Sequence, residues 1–250
     1  MKVVFDEYFY RVYTSDPASA PGRIEAIVDE LPSHAEMVQP DSARDDQILL
    51  AHTEAHLREI KNHGLYDVAA LAAGGAIETA RIGLKEPAFG LIRPPGHHAS
   101  ADSAWGFCFF NNMAISLLTL KREKLIETAL VLDFDLHFGD GTVNILGGSD
   151  WVRLYNPAKN SREKYMEEVE DILSGQGVDI IGISAGFDNH MQDWGGLMAT
   201  TDYYHIGRMA RKAAAEAGGG CFALLEGGYN HSVLGKNVSS LINGMAEPVD

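Results

Sequence analysis

Asp133-Phe134-Asp135-Leu136-His137-Phe138-Gly139-Asp140-Gly141 follows the apolar run Ala129-Leu130-Val131-Leu132. A run of that length and content reads as a buried strand, and it delivers its acidic residues to the strand's carboxyl end. A second run, residues 178–184, leads into Ala185-Gly186-Phe187-Asp188, and a third, residues 88–92, leads into Arg93-Pro94-Pro95-Gly96-His97-His98. Three strand ends therefore bring together Asp, His and Asp with a pair of histidines. In open α/β sheets ligands bind in the crevice beyond the carboxyl ends of the strands, where all these clusters fall.

Outward from that centre, strand-length apolar runs alternate with helical patterns. The sequence predicts strands over 2–5, 88–92, 129–133, 151–155, 178–184 and 221–225. Between them it predicts helices over 22–31, 53–63, 66–84, 111–122, 162–173, 202–217 and 232–245, with a short one after Gly141. Thr53 caps the second of these and Gly64 stops it. Gly74-Gly75 inside the third permits close helix packing. The alternation predicts an α/β fold: one domain on a mostly parallel sheet, flanked by helices on both faces. No internal repeat, linker or low-complexity tract interrupts it.

With 250 residues, 46% of them hydrophobic and 22% charged, the chain can bury a large core. A formal charge of −15 repels phosphate backbones and attracts cations, so nucleic acid is not an expected partner. Cys108 and Cys221 lie in apolar contexts and read as buried thiols. No stretch approaches a membrane span of about 20 apolar residues, and the start of the chain carries no cleavage signal, so a cytoplasmic protein without a membrane partner is expected.

Asp135 and His137 are two apart, so both side chains point to one side of an extended segment, and Asp188 arrives from a neighbouring strand end. Two carboxylates and one imidazole leave a coordination position open, the arrangement of a catalytic metal site. Zinc is the first choice and ferrous iron the second, because oxygen and nitrogen ligands discriminate weakly between them. Pro94-Pro95-Gly96 presents His97 and His98 on a stiff loop, where Asp133 and Asp140 can each accept a hydrogen bond from one ring. Glu226-Gly227-Gly228-Tyr229 follows the last strand, and its glycines let the tyrosine hydroxyl reach a developing oxyanion. His52-Thr53-Glu54-Ala55-His56 resembles a helical zinc motif, but Glu54 falls two residues after His52 rather than directly after it. Core or surface histidines are the better reading there.

These segments, with Gly106-Phe107-Cys108-Phe109-Phe110-Asn111-Asn112, appear in the order of a known family. The chain resembles the histone deacetylase and acetylpolyamine amidohydrolase family of the arginase-deacetylase fold. The resemblance implies a single deacetylase-like catalytic domain over residues 1–250. It implies Asp135, His137 and Asp188 as ligands of one zinc ion per chain, with ferrous iron as the alternative. It implies Tyr229 as the transition-state tyrosine, His98 with Asp140 as the principal acid-base pair, His97 with Asp133 as its electrostatic partner, and Gly106 with Phe107 as a wall of the acyl-lysine channel. The implied activity is a zinc-dependent deacetylase or amidohydrolase on linear amides, in which metal-activated water removes an acetyl or other acyl group from acetyl-lysine or acetylpolyamine.

The arginase branch of the fold needs two further aspartates to bridge a second ion, at positions that are Gly139 and Gly186 here. One ion is therefore expected. The family's structural potassium site is left open, because the position aligned with its serine is Asn156, followed by Pro157. The stretch after Tyr155 is short and holds no aromatic residue before Arg162, so the family's second channel wall is absent from its usual place. An open, shallow site is expected unless a neighbouring subunit, or the loop 190–200 with Trp194, supplies that wall. Two alternatives stay open: a catalytically silent module that binds acyl-lysine or polyamine, and an amidohydrolase for an unrelated small amide. The partner is then an acylated amine, either a small molecule or acyl-lysine, and homo-oligomer formation is left open.

Overall fold

The computed structural model of the chain describes residues 1–175 and 177–249. In the first part β1 (Lys2–Val4) leads to α1 (Arg23–Val28), β2 (Glu36–Val38), the single turn α2 (Asp45–Ile48), α3 (Glu54–Asn62) and α4 (Tyr66–Gly83). Strand and helix then alternate: β3 (Ala88–Gly90), α5 (Asn112–Arg122), β4 (Ala129–Asp133), α6 (Asp140–Leu146), β5 (Val152–Tyr155) and α7 (Arg162–Leu173). The chain finishes with β6 (Ile180–Ala185), α8 (Thr200–Glu216), β7 (Gly220–Leu225) and α9 (His231–Ala246).

The strands form one sheet in the order β2-β1-β3-β7-β6-β4-β5. Each neighbouring pair is parallel, so the expected mostly parallel sheet is parallel throughout the described residues. Strand β4 shows why the sequence reads as unbroken apolar runs. Leu130 and Leu132 pack with α1, α7, α8 and α9 on one face, while Ala129 and Val131 pack with α3, α4 and α5 on the other. A strand buried on both faces needs apolar residues at every position. Each such side chain contributes about 1.5–3 kcal/mol by leaving water, and cutting Leu130 to alanine would cost about 2–5 kcal/mol.

Two elements were not anticipated. Strand β2 is a three-residue edge strand whose Glu36 and Met37 are exposed, so it carries no apolar run to detect. Helix α2 is only four residues long. In α4 the backbone of Gly74 backs directly onto the Asp41 carbonyl, where a Cβ would stand 1.9 Å from the oxygen, the close packing the glycine pair predicts. Cys108 and Cys221 are buried free thiols. No helix among the described residues is long and apolar enough to cross a membrane.

Among central strands β3, β7, β6 and β4, the neighbours β3 and β7 lead to helices on opposite faces of the sheet, α5 and α9, so their carboxyl ends open a crevice at a topological switch point. The loops leaving those four strands carry the residues described next.

Candidate active site

Beyond Asp133 the backbone leaves β4 through two turns that its own carboxylates build. Asp133 Oδ1 accepts the Asp135 N–H at 3.2 Å, and Asp135 Oδ1 accepts the His137 N–H at 2.9 Å. Aspartates that bond the backbone two residues on are turn formers. Here the same carboxylates line the crevice. His137 Nδ1 stands 3.2 Å from Asp135 Oδ1 and 3.0 Å from Asp188 Oδ2. One ligand atom from each of Asp135, His137 and Asp188 lies within 4.8 Å of the others.

Those three residues fit a divalent ion. Asp188 is fully buried, and its Oδ2 makes no well-aligned hydrogen bond to any described residue. Burial and the nearby Asp135 charge push Asp188 up to about 6. The Asp135 and Asp188 carboxylates beside it push the His137 imidazole up to about 10. Neither position that would supply a bridging aspartate for a second ion has room for a side chain. A Cβ at Gly139 would stand 2.1 Å from Asp133 Oδ2, and one at Gly186 2.0 Å from Asp135 Oδ2.

Both histidines of the Pro-Pro-Gly loop are buried and paired. His97 Nδ1 lies 3.0 Å from Asp133 Oδ2, with its Nε2 turned toward Asp135 Oδ1 at 3.8 Å. His98 Nδ1 lies 2.6 Å from Asp140 Oδ1. Burial opposes charge on His97, but the Asp135 and Asp133 carboxylates raise it well above the ordinary histidine range. Burial and the neighbouring His97 charge lower His98 to about 4. The two rings are thus shifted in opposite directions, His98 toward the neutral form whose Nε2 is free to accept a proton.

Tyr229 stands at the end of β7, with its ring edge-on to Phe107 at 5.9 Å and stacked on Trp194 at 4.1 Å. Burial, then the Asp135 charge, raise its hydroxyl above the usual tyrosine range, so it stays protonated and able to donate. Gly106 and Phe107 precede it in the crevice, and Phe107 adopts a φ of 68°, a strained left-handed conformation for a residue with a side chain. Trp194 also meets the His137 ring edge-on at 6.1 Å. Asn156 Oδ1 accepts the Gly139 N–H at 2.8 Å.

Several supporting residues escape the sequence reading. Fully buried Arg23 donates to Glu226 O at 2.6 Å and to Gly228 O at 2.8 Å, and its guanidinium lies 5.6 Å from the Tyr229 ring centre. Glu226 Oε2 accepts the N–H groups of Gly96 and His97 at 2.7 and 3.2 Å, tying β7 to the histidine loop. His52 and His56 are core histidines, as expected, but they also hold the 99–111 segment: His52 contacts Ser100 O and accepts the Asn111 N–H, and His56 contacts Phe109 O. Asn111 caps α5 and reaches Ala99 O and Thr142 Oγ1. Trp105 donates its indole N–H to Asp140 Oδ2 at 2.8 Å. Glu226 and Trp105 sit inside or beside the quoted motifs, whereas nothing near Arg23 marks it.

A model of the histone deacetylase domain matches residues 61–160 and 152–245. A probable deacetylase of Archaeoglobus fulgidus is 32% identical, with 78% of this chain and 69% of that protein aligned. One of Methanothermobacter thermautotrophicus is 29% identical over 90% of this chain and 84% of its own length. The polyamine deacetylase HDAC10 of Danio rerio is 24% identical over 97% of this chain, which spans 47% of that protein. In fold, the crystal structure of the HDA15 HD domain superposes with a TM-score of 0.86 at 23% identity, covering 99% of this chain and 90% of that one.

Proposed function

Since the chain belongs to the histone deacetylase family, we propose that it is a metal-dependent amidohydrolase that removes an acetyl or other short acyl group from an amine. The observation that carries this reading is the convergence of Asp135, His137 and Asp188 within 4.8 Å, with two His-Asp pairs at its edge. Zinc or ferrous iron suits that donor set. Held there, one divalent ion supplies Lewis-acid polarisation of the acyl carbonyl and lowers the pKa of water.

The remaining work belongs to the side chains. Neutral His98, its Nδ1 held by Asp140, takes a proton from the attacking water and returns it to the departing amine. His97, held by Asp133, supports the charge that builds as the carbonyl becomes tetrahedral. Tyr229 donates its hydroxyl to the same oxygen. Phe107 forms an apolar wall along the chain next to the scissile bond. An acidic molecule of net charge −15 suits a product amine that leaves as a cation.

Purified protein loaded separately with zinc and ferrous iron, assayed on an acetyl-lysine peptide, acetylated polyamines and simple acyl amides, tests the reading. Turnover by either metal form, abolished by chelation, is the expected result. Binding of these ligands without any turnover would identify a silent module instead.

A further inference from the structure

The rings around the metal-binding residues close into a circuit. Trp105 lies against His98 with centroids 3.9 Å apart and planes tilted by 31°, and His98 lies 6.0 Å from His137. His137 meets Trp194 edge-on at 6.1 Å, Trp194 stacks on Tyr229 at 4.1 Å, and Tyr229 meets Phe107 at 5.9 Å. Phe107 returns to Trp105 through Gly106. Two members differ from the rest. Trp105 and Trp194 each lay one face on a ring of the site, yet they are 56% and 54% exposed.

Exposed apolar surface gathers at this mouth. Leu136, Phe138 and Met191, on the same loops, are exposed as well. Single exposed apolar residues need no explanation, but several on the loops around a reactive centre mark a surface that a ligand covers. Both tryptophans are also held in place. Trp105 Nε1 donates to Asp140 Oδ2 at 2.8 Å, while the Trp194 backbone N–H donates to Asp193 Oδ1 at 2.9 Å and its indole stacks on Tyr229. Asp193 Oδ2 in turn accepts the N–H groups of Tyr229 and Asn230. Surfaces ordered before binding lose little entropy when a ligand arrives.

We propose that Trp105 and Trp194 are the specificity-determining residues of this site, two jaws of an apolar subsite for a flat aromatic or bulky apolar group carried beside the scissile amide. The inference rests on the amide-hydrolase reading and deepens it by naming the substrate class. A slim linear chain touches little of two indoles that flank His98 and His137, whereas a flat group stacks on them. Stacking of this kind is worth about a tenfold preference.

Matched amides decide it. For zinc-loaded protein, kcat/KM should be about tenfold higher for the acetamide of an arylmethylamine than for that of a linear alkylamine of equal carbon number. Trp105→Ala and Trp194→Ala should each bring that ratio close to one, whatever they do to absolute rates. The dissociation constants of N-benzylacetamide and N-hexylacetamide, read by quenching of tryptophan fluorescence, report on the subsite without chemistry. Tighter binding of the benzyl compound, lost in Trp194→Ala, supports the proposal even if no amide is hydrolysed, an outcome that would remove the hydrolase reading alone. Equal rates and equal binding for the two compounds overturn it, as does a preference that survives both substitutions. A dimer by light scattering that falls to monomer in Trp194→Ala also overturns it, because the apolar rim would then belong to a second copy of the chain.

Discussion

Asp193 Oδ2 accepts the backbone N–H of Tyr229 at 2.8 Å, and through it the loop after β6 holds the loop after β7. The same oxygen accepts the Asn230 N–H, and the next residue, Trp194, covers the tyrosine ring. Asp193 is thus a positioning residue, acting through Tyr229. Asp193→Ala should lower kcat by about tenfold or more with little change in metal content, while Asp193→Asn, which keeps an acceptor, should lose less. In a Tyr229→Phe background the Asp193→Ala effect should largely vanish, as expected for two residues serving one interaction. Additive losses in the double variant would show that Asp193 acts elsewhere.

Tyr229 itself is proposed to stabilise the oxyanion. Tyr229→Phe keeps the stacking on Trp194 and removes only the hydroxyl, so kcat should fall by about a hundredfold or more, the size of losing one such donor. Substrate affinity and bound metal should persist. A variant with near-normal kcat would remove the hydroxyl from the mechanism.

How much of this was legible beforehand depends on where each residue's partners lie. Strands β4, β6 and β7 announce themselves because both of their faces are buried, and Asp135, His137 and Asp188 follow directly from those strand ends. Edge strand β2, exposed and three residues long, leaves no such pattern. Arg23 was invisible for a different reason: its Gly228 partner is 205 residues away, and an arginine in a helix reads as surface. Trp105 and Trp194 belong to one mouth only after β3 and β6 are placed on either side of β7. Local chemistry was readable, and the long-range bracing around it was not.

Metal content offers a test independent of substrate. One divalent ion per chain is expected, with activity lost on chelation and restored by zinc, cobalt or ferrous iron. Buried Asp188 then loses its compensating charge, so the chelated protein should also melt at a lower temperature and recover on metal addition. Two ions per chain by elemental analysis would revive a binuclear site, despite the glycines at 139 and 186 where it would need aspartates.

The two histidines should separate kinetically. His98 is lowered to about 4 and is therefore a neutral base, whereas the Asp135 and Asp133 carboxylates raise His97. His98→Ala should therefore damage turnover more than His97→Ala, with kcat the parameter affected. The reverse order of damage would show that their roles are exchanged.

Acid should destabilise the fold through His52, away from the chemistry. This ring is 4% exposed; its Nε2 accepts the Asn111 N–H at 2.8 Å, and its Nδ1 lies 2.9 Å from Ser100 O. That arrangement needs the neutral tautomer with the proton on Nδ1. Burial, then the nearby His56 charge, lower His52 from 6.5 to about 3. Between those values the unfolded chain binds the proton that the folded chain refuses. Stability from this residue is therefore complete above about pH 6.5 and falls as pH drops toward 3, by about 2 kcal/mol at pH 5. His52→Gln, which retains one donor and one acceptor, should start less stable at pH 7.5 but lose less between pH 6.5 and 5. Urea unfolding of both proteins at several pH values measures the difference in slope. Parallel curves would show that protonation elsewhere, and not at the brace between Ser100 and Asn111, governs acid unfolding.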